Sequence, residues 1–191
     1  MNEIKEFFEK AALNWHNKDD ISLIKRILKE AGIKKGDKVL DVGCGKGIIT
    51  PFIYEITQIP VKAIDISENM IKGARELHPN SIGLEFECYD FYEYNEENKY
   101  DYLIFYNAYP HFLDRCALSD KANSLLKANG KLVIAHGMSR KALFKHHMSV
   151  SNHISRVLEA PSDESKAFLD YFELQNCVDN DEYYLMVLKK K

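Results

Sequence analysis

No stretch of this chain stays apolar for the roughly 20 residues that a membrane-spanning helix needs; its longest apolar runs are strand-sized. The opening segment, Met1 to Lys10, alternates charges and lacks the apolar centre of a secretion signal. Cysteine is sparse: Cys44, Cys88, Cys116 and Cys177 stand far apart and form no CxxC pair. They are expected to be reduced, mostly buried thiols, which makes the cytoplasm the expected location. A formal charge of -3 exerts no general pull toward nucleic acid or an anionic membrane. Neither is therefore an expected partner, and nothing fixes an oligomeric state. Repeats and low-complexity linkers are lacking as well. What remains is an ordinary globular composition, 46% hydrophobic and 29% charged, over 191 residues, enough for one sizeable core.

The order of elements follows from periodicity. Ile4, Phe7, Phe8 and the Ala11-Ala12 pair recur at helical spacing, with Trp15 close behind. A second helix is expected from an Asp20 N-cap through Leu23, Ile24, Ile27 and Leu28, stopping at Gly32. Beyond it the texture changes. Strands are expected at 38–42, 61–65, 82–88, 102–106 and 132–136. Helices are expected at about 47–57, 68–77 with Ser67 as cap, 114–127, and from about Ser139. Nearly continuous apolar strands alternating with helices predict a parallel sheet covered on both faces. The segments 171–178 and 183–189, joined by Asp179-Asn180-Asp181, predict an antiparallel hairpin. The expected fold is a doubly wound α/β domain with a mostly parallel seven-stranded sheet ending in that hairpin.

The most informative segment is Asp41-Val42-Gly43-Cys44-Gly45-Lys46-Gly47. A strand ends, glycines let backbone approach a ligand closely, and a helix N-terminus follows. Taken alone, it also fits a glycine-rich turn with no ligand. The dinucleotide pattern GxGxxG fails because Ile48 stands where its third glycine belongs, and the phosphate-loop pattern is missing too. An acidic residue before three spaced glycines suits a ligand ammonium, and Asp65, ending the next strand, is placed for ribose hydroxyls. A ligand with an amino-acid end and a nucleoside end would use both carboxylates, and S-adenosylmethionine is such a ligand.

The 41–47 segment resembles the first motif of class I S-adenosylmethionine-dependent methyltransferases, and Val61 to Ser67 resembles the second. Cys88-Tyr89-Asp90-Phe91, Tyr100 to Asn107 and Leu126 to Ile134 resemble the ends or bodies of the third, fourth and fifth strands. The N-terminal segment resembles the lid helix of the small, single-domain members related to quinone-biosynthesis enzymes. Lys46 replaces the small or hydroxyl residue common there, with an outward side chain of no expected consequence. The resemblance implies S-adenosylmethionine as cofactor and S-adenosylhomocysteine as product. It also implies a binding set of Trp15, Asp41, Gly43, Cys44, Gly45, Gly47, Asp65, Ile66, Met70, Asp90, Phe91 and Tyr106. The chain then reads as one domain: a lid over 1–35, a cofactor core over 36–136, and substrate-side helices with the hairpin over 137–191.

The acceptor side is expected after the fourth and fifth strands. There His111 and His136 are candidate catalytic bases, and Tyr109, Arg140, Phe144 and His147 candidate substrate contacts, with Arg140 an anion clamp. His111, His136, Arg140 and His147 are expected to converge over the methyl group. Three readings stay open: polar residues satisfying local hydrogen bonds, a substrate pocket with a histidine base, or histidines holding a metal-bearing substrate. The spacing matches no recognised ligand motif, and no resident metal is expected. No insertion is long enough for a substrate domain, which favours a small-molecule acceptor. The alternative from another class is a module that binds the cofactor or its product without catalysis.

Overall fold

The computed structural model describes residues 3–15, 20–147 and 153–191, without the side chains of His146 and His147. Its strands are β1 (Val39–Val42), β2 (Val61–Asp65), β3 (Leu84–Cys88), β4 (Tyr100–Tyr106), β5 (Leu126–His136), β6 (Phe172–Asp179) and β7 (Tyr184–Lys190). They form one sheet in the order β3-β2-β1-β4-β5-β7-β6. Pairing is parallel from β3 through β5, whereas β7 runs antiparallel to both β5 and β6. The reversed strand thus sits inside the sheet, one place from its edge.

Local chemistry sets the helix limits. Helix α1 spans Glu3–Ala11 and α2 spans Ile21–Ala31; the Asp20 carboxylate accepts from the Ser22 amide, and Gly32 closes α2 at φ 84°. Helix α3 covers Thr50–Thr57 and α4 covers Glu68–Leu77, capped by the Ser67 hydroxyl at the Met70 amide. Helices α5 (Arg115–Leu125), capped by Asp114, α6 (Arg140–His147) and the short α7 (Pro161–Glu164) follow. Helix α3 starts three residues later than periodicity suggests, because Gly45 and Gly47 hold positive φ and cannot join a right-handed helix.

Period-two alternation then assigns each strand residue to a face. Leu103 and Phe105 of β4, Leu132 and Ile134 of β5, and Met186 and Leu188 of β7 pack in one cluster with Leu118, Ala122 and Leu125 of α5. Their neighbours Tyr102, Ile104, Val133, Ala135, Leu185 and Val187 pack on the opposite face with Ile24, Ile27 and Leu28 of α2 and Ile53 of α3. A smaller cluster, Ala63, Ile71, Ala74 and Phe86, seats α4. Each fully buried Leu, Ile or Phe contributes about 1.5–3 kcal/mol, so both helix layers are held by these faces. The cysteines divide: Cys44 is buried and Cys88 half-buried, but Cys116 and Cys177 are exposed, against the expectation of mostly buried thiols. Cys116 lies in the first turn of α5 and Cys177 on an edge strand, where neither helix nor sheet covers them.

Candidate functional site

After β1 the chain winds outward through β2 and β3, then returns to the other side of β1 as β4. The winding reverses between β1 and β4, and a crevice opens beyond the strands' carboxyl ends at such a point. A cavity of about 950 Å³, counting its mouth, lies there. Gly43, Cys44 and Gly45 line it from the end of β1, Asp65 and Ile66 from β2, and Asp90 and Phe91 from β3. Tyr106, Asn107, Ala108 and His111 line it from β4, and Ile4, Phe8 and Trp15 cover it.

The turn after β1 is built by backbone. Gly43, Gly45 and Gly47 hold φ of 68°, 54° and 75°, a region costly for residues with a Cβ. The amides of Gly43 and Cys44 both donate to the Ile64 carbonyl, at 2.8 and 3.0 Å, which pins the turn to β2. A Cβ at Gly43 would lie 2.7 Å from Ala108 Cβ, and one at Gly47 would lie 2.6 Å from the Phe86 ring. At Gly45 the nearest such atom is the Met70 sulfur at 4.0 Å. Packing therefore excludes a side chain at Gly43 and Gly47, whereas Gly45 opens a cradle where backbone meets the cavity. Gly47 does not line the cavity; it lets Phe86 seat under the turn.

The two carboxylates divide their work. Asp65 Oδ2 accepts from the Gly45 amide at 2.8 Å and Oδ1 from the Ser67 amide at 2.9 Å. Burial pushes its carboxyl up to about 6, against the downward pull of those amides. Each oxygen keeps acceptor capacity toward the cavity beside it. Asp41 is 1% exposed, does not line the cavity, and accepts from the Thr50 hydroxyl at 2.7 Å. Burial pushes it up to about 7, opposed by Thr50 and reinforced by Asp65. It ties the first residue of α3 to β1 behind the turn.

Aromatic rings make the remaining wall. Phe112 stands edge-on to Phe105 at 4.9 Å and to Phe91 at 5.8 Å. Phe8 of α1 stands edge-on to the His111 ring at 4.8 Å and to Trp15 at 6.3 Å. Met70 and Ile66 complete the β2 side. Asn107 turns the chain out of β4 at φ 55° and its Oδ1 accepts from the Gly137 amide, tying the ends of β4 and β5. The resemblance implied α1 as a cover, but Ile4, Tyr89, Tyr92 and Phe112 enter the lining without having been among the expected binding residues. The spacing of Ile4 and Phe8, one helical turn apart, was the available signal.

On the acceptor side the structure separates what the sequence suggested together. His111 lines the cavity, and its Nδ1 lies 2.9 Å from the Ile154 carbonyl. A carbonyl only accepts, so Nδ1 carries the proton of that hydrogen bond. His136 is 1% exposed, pairs in register with Tyr184 of β7 and packs edge-on against that ring, outside the cavity lining. Tyr109 is buried with its hydroxyl donating to Glu164 at 2.8 Å. Arg140 Nε donates to Asp179 at 2.9 Å, and Arg140 and Phe144 line a surface groove that shares no residue with the cavity. The side chain of His147 lies outside the described residues. The expected convergence of His111, His136 and Arg140 over one point is therefore not built. Among the described residues no three His, Cys, Asp or Glu side chains are grouped to hold a metal ion.

A family model described as a methyltransferase domain matches residues 33–187. Malonyl-(acyl-carrier protein) O-methyltransferase 1 of Ilyobacter polytropus is 35% identical over 122 residues, 63% of this chain and 45% of that protein. Phosphoethanolamine N-methyltransferase 1 of Arabidopsis thaliana is 34% identical over 116 residues, 58% of this chain and 23% of that protein. The chain spans less than half the length of these relatives. In fold it is similar to the N-methyltransferase NodS of Bradyrhizobium japonicum WM9, solved with S-adenosyl-L-homocysteine. The TM-score is 0.71 at 13% identity, over 100% of this chain and 99% of that one.

Proposed function

Because the chain belongs to the methyltransferase-domain family, the class I enzymes that use S-adenosylmethionine, we propose that it methylates a small, largely apolar molecule in the cavity beyond β1 and β4. The observation that carries this reading is the Asp65 carboxylate, held by the Gly45 and Ser67 amides and facing a cavity walled by aromatic rings. Such a lining fits a nucleoside joined to an amino acid. Asp65 receives the ribose hydroxyls, and the backbone of Gly43, Cys44 and Gly45 receives the amino-acid end. Ile66, Met70, Asp90 and Phe91 surround the base, while Tyr106 and Trp15 close on the reacting end. Asp41 and Gly47 hold the turn without touching the ligand. Bound S-adenosylmethionine supplies a methyl group on positively charged sulfur.

The chain's own task is to aim an acceptor and exclude water. His111 is the base that takes a proton from a hydroxyl or ammonium acceptor, through Nε2. The relatives' names place their methyl groups on oxygen and on nitrogen, so they do not choose between such acceptors. The charged side chains among the described lining residues are Asp65 and Asp90, which suits an uncharged or cationic acceptor better than an anionic one. Helix α1 acts as a lid over a single catalytic domain. No described helix is long and apolar enough to cross a membrane.

The test has two stages. Calorimetry should show S-adenosylhomocysteine binding and NAD not binding comparably; tighter NAD binding would sink the reading. A library of small acceptors with labelled cofactor should then reveal label transfer. Cofactor binding without transfer to any acceptor would favour a binding module.

A further inference from the structure

Lys46 stands between the last two glycines of the turn, where an outward side chain was expected to do nothing. Its chain instead lies along α4: a Cβ at Gly73 would fall 2.9 Å from Lys46 Cε, 3.0 Å from Cδ and 3.1 Å from Cγ. At the end of that path Nζ donates to the Trp15 carbonyl at 3.2 Å. Gly73 lies inside α4, where glycine is among the weakest helix formers, and the Lys46 chain occupies the space an alanine there would take. A second tie holds the other part of the lid. Glu9 of α1 accepts from the Glu68 amide at 2.7 Å and the Asn69 amide at 3.1 Å, the first turn of α4. Asn69 Nδ2 donates back to the Glu9 carbonyl at 3.2 Å.

We propose that Lys46, laid over Gly73, is a positioning residue that latches the Trp15 end of the lid shut over the cofactor, with Glu9 as the second latch point. The proposal rests on the cofactor reading above and adds the mechanism of retention. The turn that receives the amino-acid end of the cofactor also carries the side chain that fastens the cover. Lid closure and cofactor placement therefore share one loop.

Trp15 is the only tryptophan in the chain, so its emission reports the lid directly. Lys46→Met should make Trp15 more accessible to acrylamide quenching in the free protein. It should also speed S-adenosylhomocysteine dissociation by roughly three- to tenfold, the effect of one lost hydrogen bond. Gly73→Ala should raise the melting temperature, through helix propensity, and still increase both quenching and dissociation by displacing Lys46. A merely structural role for Gly73 does not produce that split. Quenching in both variants equal to that of the native protein would overturn the latch. Native protein that fails to bind S-adenosylhomocysteine would instead overturn the cofactor reading, and quenching in the free protein would still decide whether the latch exists.

Discussion

The two halves of the cavity are made of different materials. Where β1 and β2 end, the wall rests on backbone fixed by positive φ and by two buried carboxylates, each tied to chain within about 20 residues of itself. Around the end of β4 it is side chain held by a partner far along the sequence, His111 by Ile154, and behind that wall Tyr109 is held by Glu164 and His136 lies beside Tyr184. The first half resists variation because a single Cβ at Gly43 or Gly47 collides with its neighbours. The second half can be refitted by changing one distant segment, and it is the half to which the proposed function assigns the acceptor.

The largest test of this contrast compares two histidines. His111→Ala should lower turnover by about 10²–10⁴ while cofactor affinity stays nearly unchanged, as for a base acting on the acceptor. His136→Ala should instead lower stability by about 1–3 kcal/mol through a buried void, with turnover retained in the folded fraction. Steady-state kinetics beside thermal melts separates them; equal kinetic losses would return His136 to the acceptor side.

A pH series probes the first half. The folded state holds the Asp41 proton more tightly than the unfolded chain does, since the group moves from 3.8 up to about 7. That contribution to stability is present at low pH and is lost as pH rises through about 7. On the order of 3 kcal/mol should be lost from this group between pH 4 and pH 8. Asp41→Asn should flatten this part of the profile, and melting curves at pH 5 and pH 8 read it; an unflattened profile would clear Asp41 of the effect.

Asp65→Ala should weaken S-adenosylhomocysteine binding by about 1.5–3 kcal/mol, through lost charge-assisted hydrogen bonds. In the native protein affinity should decline as pH falls through about 6, where the carboxylate gains its proton. Calorimetric affinity independent of both changes would move the ribose site elsewhere. Smallest of all, Arg140→Ala should change stability by less than about 1 kcal/mol, because its pairing with Asp179 is exposed. Turnover should not move, and a marked loss would draw the surface groove into the site.

Legibility in the sequence follows the same division. The caps at Asp20 and Ser67, the C-cap at Gly32 and the turn at 41–47 were readable because each is decided within a few residues. The β4 strand was readable as an apolar run, though its two faces were not. The depth of His136 was not, because antiparallel pairing with β7, nearly 50 residues later, determines what covers the end of β5. The place of Arg140 was hidden for the same reason: Asp179 on β6 holds its guanidinium. Tyr94 and Tyr100, which bracket a charged segment, are buried and share a hydroxyl contact of 2.7 Å that no local pattern announces.

The inserted position of β7 has a consequence for assembly. Its hairpin partner β6 is made first yet has no other strand to pair with, so the β5 edge stays open until the segment reaching Lys190 is available. Helix α2, among the earliest elements made, meets the same hairpin: Arg26 pairs with Glu182, and Glu30 accepts from the Tyr183 hydroxyl. Closing this half of the sheet therefore joins residues about 150 positions apart, a contact of high order and slow formation. The half that carries the cofactor cavity has β1 to β4 and α4 in hand well before that. On a ribosome, the binding end of the molecule would be waiting for its far edge.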